Sequence, residues 1–270
     1  MEKQRDILDE IVAAKRIEVA EQMQAVPSRE LFHKVEELLS NGITRRSMRQ
    51  ALASSATGII AEFKRKRPSK GWIHHDAEVD KVVVDYEQNG ASALSILTDE
   101  QFFGGQMRFI SRVRGSVNIP ILRKDFIIDE YQLYQARMIG ADAVLLIAAC
   151  LTPEQCKTLA QKAHELQLET LLEVHSESEL EYVGENIDMV GVNNRNLGTF
   201  HTDVENSYRL ASQLPKDYVL VSESGISNPQ TVRELREAGF RGFLIGETFM
   251  KMADPGQALN DFIQQINGKL

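Results

Sequence analysis

Eight short apolar runs recur along this chain: "GIIAEF", "ASALSIL", "NIPILRKDF", "ADAVLLIA", "ETLLEV", "DMVGVNN", "YVLVSES" and "RGFLIGE". They stand about 20 to 35 residues apart, which leaves room for one crossover helix between successive runs. Most gaps hold a helix-period pattern, as in "PEQCKTLAQKAHELQ" and "NPQTVRELREAG". Three joins, "EQNGASAL", "ARMIGADAV" and "LREAGFRGF", end a helix at a glycine and enter the next run at once. Glycine suits the left-handed residue that closes a helix. Near-continuous apolar strands alternating with helices imply a parallel sheet covered on its outer face, and eight such units predict an α/β fold, a (β/α)8 TIM barrel. An open doubly wound sheet is the alternative, but no Gly-x-Gly-x-x-Gly follows the first run.

A barrel of this kind accounts for the length of 270 residues as a single domain, 1–270. Residues 1–50 precede the first strand and alternate charged and apolar residues at helical spacing, so they are expected to form an N-terminal helical extension. No run reaches the length of a membrane-spanning helix. The net charge of −8 argues against nucleic acid or anionic membrane as a partner. Cys150 and Cys156 lack metal-ligand spacing and read as reduced thiols of a cytoplasmic protein. No metal is expected, and the chain is expected to act as a monomer or weak homo-oligomer on a small phosphorylated substrate.

In such barrels inward side chains form layers of four from alternate strands, and chemistry sits at the C-terminal strand ends. The odd strands end on Glu62, Lys124, Glu173 and Glu223. Three carboxylates and one ammonium would be costly packing filler, because buried charges must be paired or used. Lys64 lies two residues beyond Glu62 and so on the same side of the strand. Arg65 and Lys66 then face helices or water, and "RPSKG" gives the first loop a flexible exit suited to covering a ligand. Lys124 and Lys64 would each lower the other's proton affinity, while three glutamates oppose that effect.

Glycines just past strands seven and eight, in "SESGIS" and "IGET", suit a phosphate site built from backbone N–H groups. Gly225 and Gly246 would permit close approach, with Ser224 adding a hydroxyl and Glu247 beside them. Strand six ends "GVNNRNL", placing Asn193 and Arg195 two apart; the arginine fork suits a carboxylate and the amide a hydroxyl or carbonyl. The histidines, His74, His75 and His175 among them, have no partner at ligand spacing and read as surface or loop residues. Phe102, Phe103 and Trp72 could line an apolar wall for an aromatic ligand or pack the rim.

Together "IIAEFKRKRPSKG", "ILRKDFIID", "LLEVH", "GVNNRNL", "VSESGI" and "LIGETFM" resemble the indole-3-glycerol-phosphate synthase family, as does the leading "ILDEIVAAKRIEV". The resemblance implies an enzyme without cofactor or metal that converts 1-(2-carboxyphenylamino)-1-deoxyribulose 5-phosphate to indole-3-glycerol phosphate, releasing carbon dioxide and water. It implies Lys124 as general acid on the substrate carbonyl, Glu173 as acid/base in later proton transfers, and Glu62 with Lys64 assisting water loss. It further implies Asn193 and Glu223 on the ribulose hydroxyls, Arg195 near the anthranilate carboxylate, and Ser224, Gly225 and Gly246 on the phosphate. Arg67 departs from the family, which usually has serine there. Two rivals stay open: a phosphoribosylanthranilate isomerase type, whose cysteine and aspartate at strand ends are not matched by Cys150 and Cys156, and a catalytically silent barrel serving as a scaffold.

Overall fold

Each apolar run becomes a buried strand, and each helical pattern with one exception becomes a helix laid over it. The computed structural model describes residues 7–42, 45–68, 71–195 and 201–268. The strands are β1 (Ile59–Phe63), β2 (Ala93–Leu97), β3 (Ile121–Lys124), β4 (Ala143–Ile147), β5 (Glu169–Val174), β6 (Met189–Asn193), β7 (Val219–Glu223) and β8 (Gly242–Ile245). All pair in parallel with their sequence neighbours, and β8 pairs with β1 to close the barrel. Helices α4 (Val79–Gln88), α5 (Met107–Val113), α6 (Glu130–Met138), α7 (Pro153–Glu165), α8 (Glu205–Ala211), α9 (Pro229–Glu237), α10 (Glu247–Met250) and α11 (Pro255–Ile266) follow the strands. The exception is the β5–β6 connection, where the described residues carry only the 3-10 turns Glu177–Tyr182.

The strands are buried because both faces are covered, with only Lys124 at the end of β3 partly exposed. Ile60, Leu122, Leu145, Leu171, Met189 and Val221 belong to the inner cluster, while Ile59, Leu94, Val144 and Leu172 pack outward beneath the helices. Gly90, Gly140 and Gly239 take positive φ values of 94°, 89° and 108° at helix ends, as the three joins predict.

The leader runs four residues past the expected boundary at residue 50. It comprises α1 (Ile7–Ala25), α2 (Ser28–Ser40) and α3 (Met48–Ser54). Helix α3 plugs the bottom of the barrel: Met48 and Leu52 are fully buried in the inner cluster, and Glu169 at the start of β5 accepts from Ser47 Oγ (2.6 Å) and the Arg49 amide (2.9 Å). Helix α1 goes to the opposite end. Its buried stripe is Leu8, Ile11, Lys15 and Val19, spaced three and four apart along one face. The Tyr131 hydroxyl donates to the carbonyls of Gln22 and Val26 and fixes the far end of α1 on α6.

Candidate active site

The C-terminal mouth of the barrel opens into a cleft of about 350 Å³. Strand alternation decides what lines it. Glu62, Lys124, Glu173 and Glu223 all point in, and the carboxylate-bearing residues are almost wholly buried. Lys124 Nζ lies 3.3 Å from Glu173 Oε2 and 3.9 Å from Glu223 Oε2. Lys64 Nζ pairs with Glu62 Oε1, as two residues on one side of a pleat should. Asn193 Nδ2 donates to Glu173 Oε1 at 3.0 Å, and its own Oδ1 accepts from the Arg195 amide at 3.0 Å.

The charges settle one another unequally. Burial disfavours the Lys124 ammonium, but Glu173, Glu223 and Glu62 outweigh it and hold its pKa above the ordinary lysine value. The mutual lowering expected between two lysines is therefore overridden at Lys124. Burial raises Glu173, yet Lys124, His175 and the Asn193 amide bring it below the ordinary carboxylate range. Glu223 goes the other way: burial and the charge of Glu173 push it well above that range, with Lys124 compensating only in part. The cluster thus sets an ammonium beside one carboxyl of lowered and one of raised proton affinity, a distribution suited to proton transfer.

Two glycines make the room for these carboxyls. A Cβ at Gly191 on β6 would overlap Glu223 Oε1 and stand 3.3 Å from Leu171 Cδ1. A Cβ at Gly246 would overlap Glu62 Oε1 and lie 3.0 Å from Glu62 Cβ. Gly246 thus shapes the acid layer besides opening the loop after β8.

Beyond β7, Ser224 and Gly225 both adopt left-handed backbone, with φ of 67° and 76°. The conformation is unfavourable for serine by about 1 kcal/mol and is held by Asn194, whose Nδ2 donates to Ser222 Oγ (3.1 Å) and to the Ser224 carbonyl (3.0 Å). Thr248 Oγ1 donates to the Ile226 carbonyl at 3.0 Å and ties this turn to the one after β8. Ser224, Gly225, Gly246 and Glu247 all line the cleft. The Glu247 carboxylate pairs with Arg67 and lies 3.9 Å from Arg195 Nη2, so it organises two cations at the rim.

Lys66–Arg67 pairs antiparallel with Gly71–Trp72, while Ser69 and Lys70 lie outside the described residues. Arg65 and Lys66 face neither helix nor water alone. Arg65 donates to the Gly104 carbonyl (2.8 Å) and lies 5.0 Å from the Phe109 ring centroid; Lys66 donates to the Gln101 carbonyl (2.8 Å). The first loop therefore rests on the β2 loop. Phe103 lines the cleft, whereas Trp72 packs over Gly104 outside it and is half exposed.

Helix α1 forms the roof. Ile7, Leu8 and Ile11 line the cleft together with Phe103, Phe126, Leu145 and Ile147, which gives the polar centre an apolar flank. What holds the roof down is Lys15, only 1% exposed, whose Nζ lies 3.0 Å from Asp99, 2.9 Å from Asp125 and 2.7 Å from Glu18. Asp125 follows Lys124 directly and also meets Arg123 Nη2 at 3.0 Å. Asp99 accepts the amides of Phe102 and Phe103.

His175 lies in the loop just past β5, as read, but not at the surface. Its side chain is 15% exposed, with Nε2 3.3 Å from Glu173 Oε1 and Nδ1 3.6 Å from Glu179 Oε2.

A family model described as indole-3-glycerol phosphate synthase matches residues 8–262 of the chain. The chain belongs to the indole-3-glycerol phosphate synthase family. It is 61% identical over 262 residues to the indole-3-glycerol phosphate synthase of Bacteroides thetaiotaomicron, covering 97% of this chain and 99% of that one. A Polaromonas sp. protein of the same name is 43% identical over 258 residues, covering 94% and 97%. Among solved structures, tryptophan synthase subunit alpha from Legionella pneumophila gives a TM-score of 0.62 at 14% identity, over 84% of this chain and all (100%) of that one. KGPDC from Streptococcus mutans gives 0.60 at 10% identity, over 78% and 97%. These two share the barrel architecture; the family rests on the sequence relatives.

Proposed function

We propose that this chain is an indole-3-glycerol phosphate synthase, a carboxy-lyase of tryptophan biosynthesis acting on 1-(2-carboxyphenylamino)-1-deoxyribulose 5-phosphate. The observation that carries the reading, beside the family, is Lys124 held between Glu173 and Glu223 at the mouth of the barrel. Attack of the aromatic ring carbon on the ketone builds negative charge on the ketone oxygen. A buried ammonium supplies both charge and proton there, so Lys124 serves as general acid for ring closure.

Decarboxylation follows closure, since the ring must first give up its aromaticity to the new bond. Loss of the hydroxyl as water then needs an acid on the leaving oxygen and a base for the ring-attached proton. Glu173, ionised and in contact with Lys124, takes the base role, and Glu62 with Lys64 assists water loss. Asn193 and Glu223 hold the ribulose hydroxyls. The apolar flank under α1 suits the anthranilate ring, which positions the carbon over the ketone; such positioning is a large share of catalysis in a site of this kind.

Arg195 and Lys251, both lining the cleft, meet the substrate's two anionic ends. Arg195 faces the anthranilate carboxylate, while the Ser224–Gly225 turn, Gly246 and Lys251 take the phosphate. Arg67, where the family usually has serine, reaches the site through Glu247, which it shares with Arg195. Cys150 and Cys156 are free thiols, in keeping with the reducing cytoplasm. We read the chain as one domain, active as a monomer or weak homo-oligomer, which sedimentation would test. The test of function is incubation with the deoxyribulose phosphate while following indole fluorescence; no indole product at enzyme concentrations in excess of substrate would reject it.

A further inference from the structure

The proton balance of this reaction makes a demand on the site. The substrate enters as a carboxylate and its carboxyl leaves as neutral carbon dioxide, the electron pair of the broken C–C bond returning to the ring. One proton goes to the ketone oxygen as the new C–C bond forms. A second leaves with the hydroxyl as water, and one returns to the enzyme from the ring. Each turnover therefore draws one proton from solvent, yet Glu173 is only 1% exposed.

We infer that His175 is the relay that refills the site, passing protons between the partly exposed Glu179 and Glu173 at the centre. The inference rests on Glu173 being the proton-transfer carboxylate proposed above. His175 Nε2 faces Glu173 Oε1 at 3.3 Å, on the carboxylate oxygen that Lys124 does not take. On its other side Nδ1 lies 3.6 Å from Glu179 Oε2, which is anchored by accepting the His175 amide at 2.6 Å. Both imidazole nitrogens are buried and neither makes a hydrogen bond in this geometry, so the ring must turn to donate to either carboxylate. His175 also lines a second groove with His201, Asp203, Glu205 and Arg209, which adjoins the substrate cleft at Asn193 and Arg195. Burial lowers the imidazole's proton affinity, but Glu179 and Glu173 outweigh burial and the opposing charge of Lys124, so it titrates above its ordinary value. His175 acts through Glu173 and does not touch substrate.

The test replaces His175 with Gln in the full-length chain. We expect kcat to fall on the order of tenfold or more with KM nearly unchanged, a larger solvent deuterium isotope effect, and loss of the alkaline inflection that His175 deprotonation imposes on kcat. His175→Ala should recover turnover with added imidazole, and Glu179→Gln should reproduce a weaker form of the defect. An unchanged kcat and pH profile in His175→Gln, with Glu173→Gln inactive, overturns the relay alone. A pH-independent loss that imidazole does not rescue also overturns it, since that is what a packing role produces. Full activity in Glu173→Gln would instead remove the site reading on which the relay depends.

Discussion

Lys15 and Asp125 meet at 2.9 Å in a site that water barely reaches, although one belongs to the leading helix and the other follows the proposed catalytic lysine. The contact makes the N-terminal helix part of the active site. It couples the apolar roof to the strand end that aims Lys124.

Removing that coupling should show in both stability and substrate affinity. Lys15→Met keeps the length of the side chain but leaves Asp99 without its cation, and breaking one partner of a buried pair costs roughly 3 kcal/mol. Urea denaturation should record that loss, and KM should rise because Ile7, Leu8 and Ile11 no longer hold the ring. An unaltered KM would separate the helix from substrate binding.

Acid should weaken the same clasp. Burial would raise the Asp125 carboxyl, but Arg123 and Lys15 overcome it and lower its pKa from 3.8 to about 2. A depressed folded-state pKa stabilises above the unfolded value, so the contribution is complete above about pH 4 and disappears as pH falls towards 2. Its size is roughly 2 kcal/mol. Unfolding free energies measured from about pH 5 down to about pH 2.5 should fall less steeply in Asp125→Asn than in the parent chain. Parallel slopes would contradict the assignment.

Gly191→Ala tests the space left for Glu223. The new methyl must displace a buried carboxyl from the acid layer, and misplacing a catalytic group by about 1 Å costs up to a hundredfold. We expect kcat/KM to drop by ten- to a hundredfold on that scale, with a folded barrel by circular dichroism. Full activity would show that Glu223 works from another position.

Arg67→Ala breaks a partly exposed pair with Glu247 that joins the first loop to the end of β8. Such pairs contribute at most about 1 kcal/mol, so the midpoint of unfolding should hardly move. Limited proteolysis should instead cut faster within the first loop. Equal cleavage rates would mean that the loop is held by Arg65 and Lys66 on the β2 loop alone.

Why the acid layer could be read from the sequence, and its supports could not, follows from geometry. Glu62, Lys124, Glu173 and Glu223 end apolar strands, where inward direction is fixed by the two-residue period. That same period connects Glu173 to His175, as it connects Glu62 to Lys64, so the relay residue carried a usable signal. Lys15 occupies an apolar position in the stripe Leu8, Ile11, Val19, a helical anomaly that marks a buried charge. Its partners Asp99 and Asp125 lie on two different loops, and only the closed barrel brings them to one helix. Gly191 gave no signal of its own, because the need for a missing side chain comes from Glu223 on the neighbouring strand.

The most direct test of the central claim is single-turnover formation of indole product by the parent chain and by Lys124→Met. Loss of a positioned acid predicts a decrease of about two orders of magnitude or more in the ring-closure rate, with substrate binding retained. A Lys124→Met rate within about threefold of the parent, far short of that scale, would contradict the claim that this ammonium drives the chemistry.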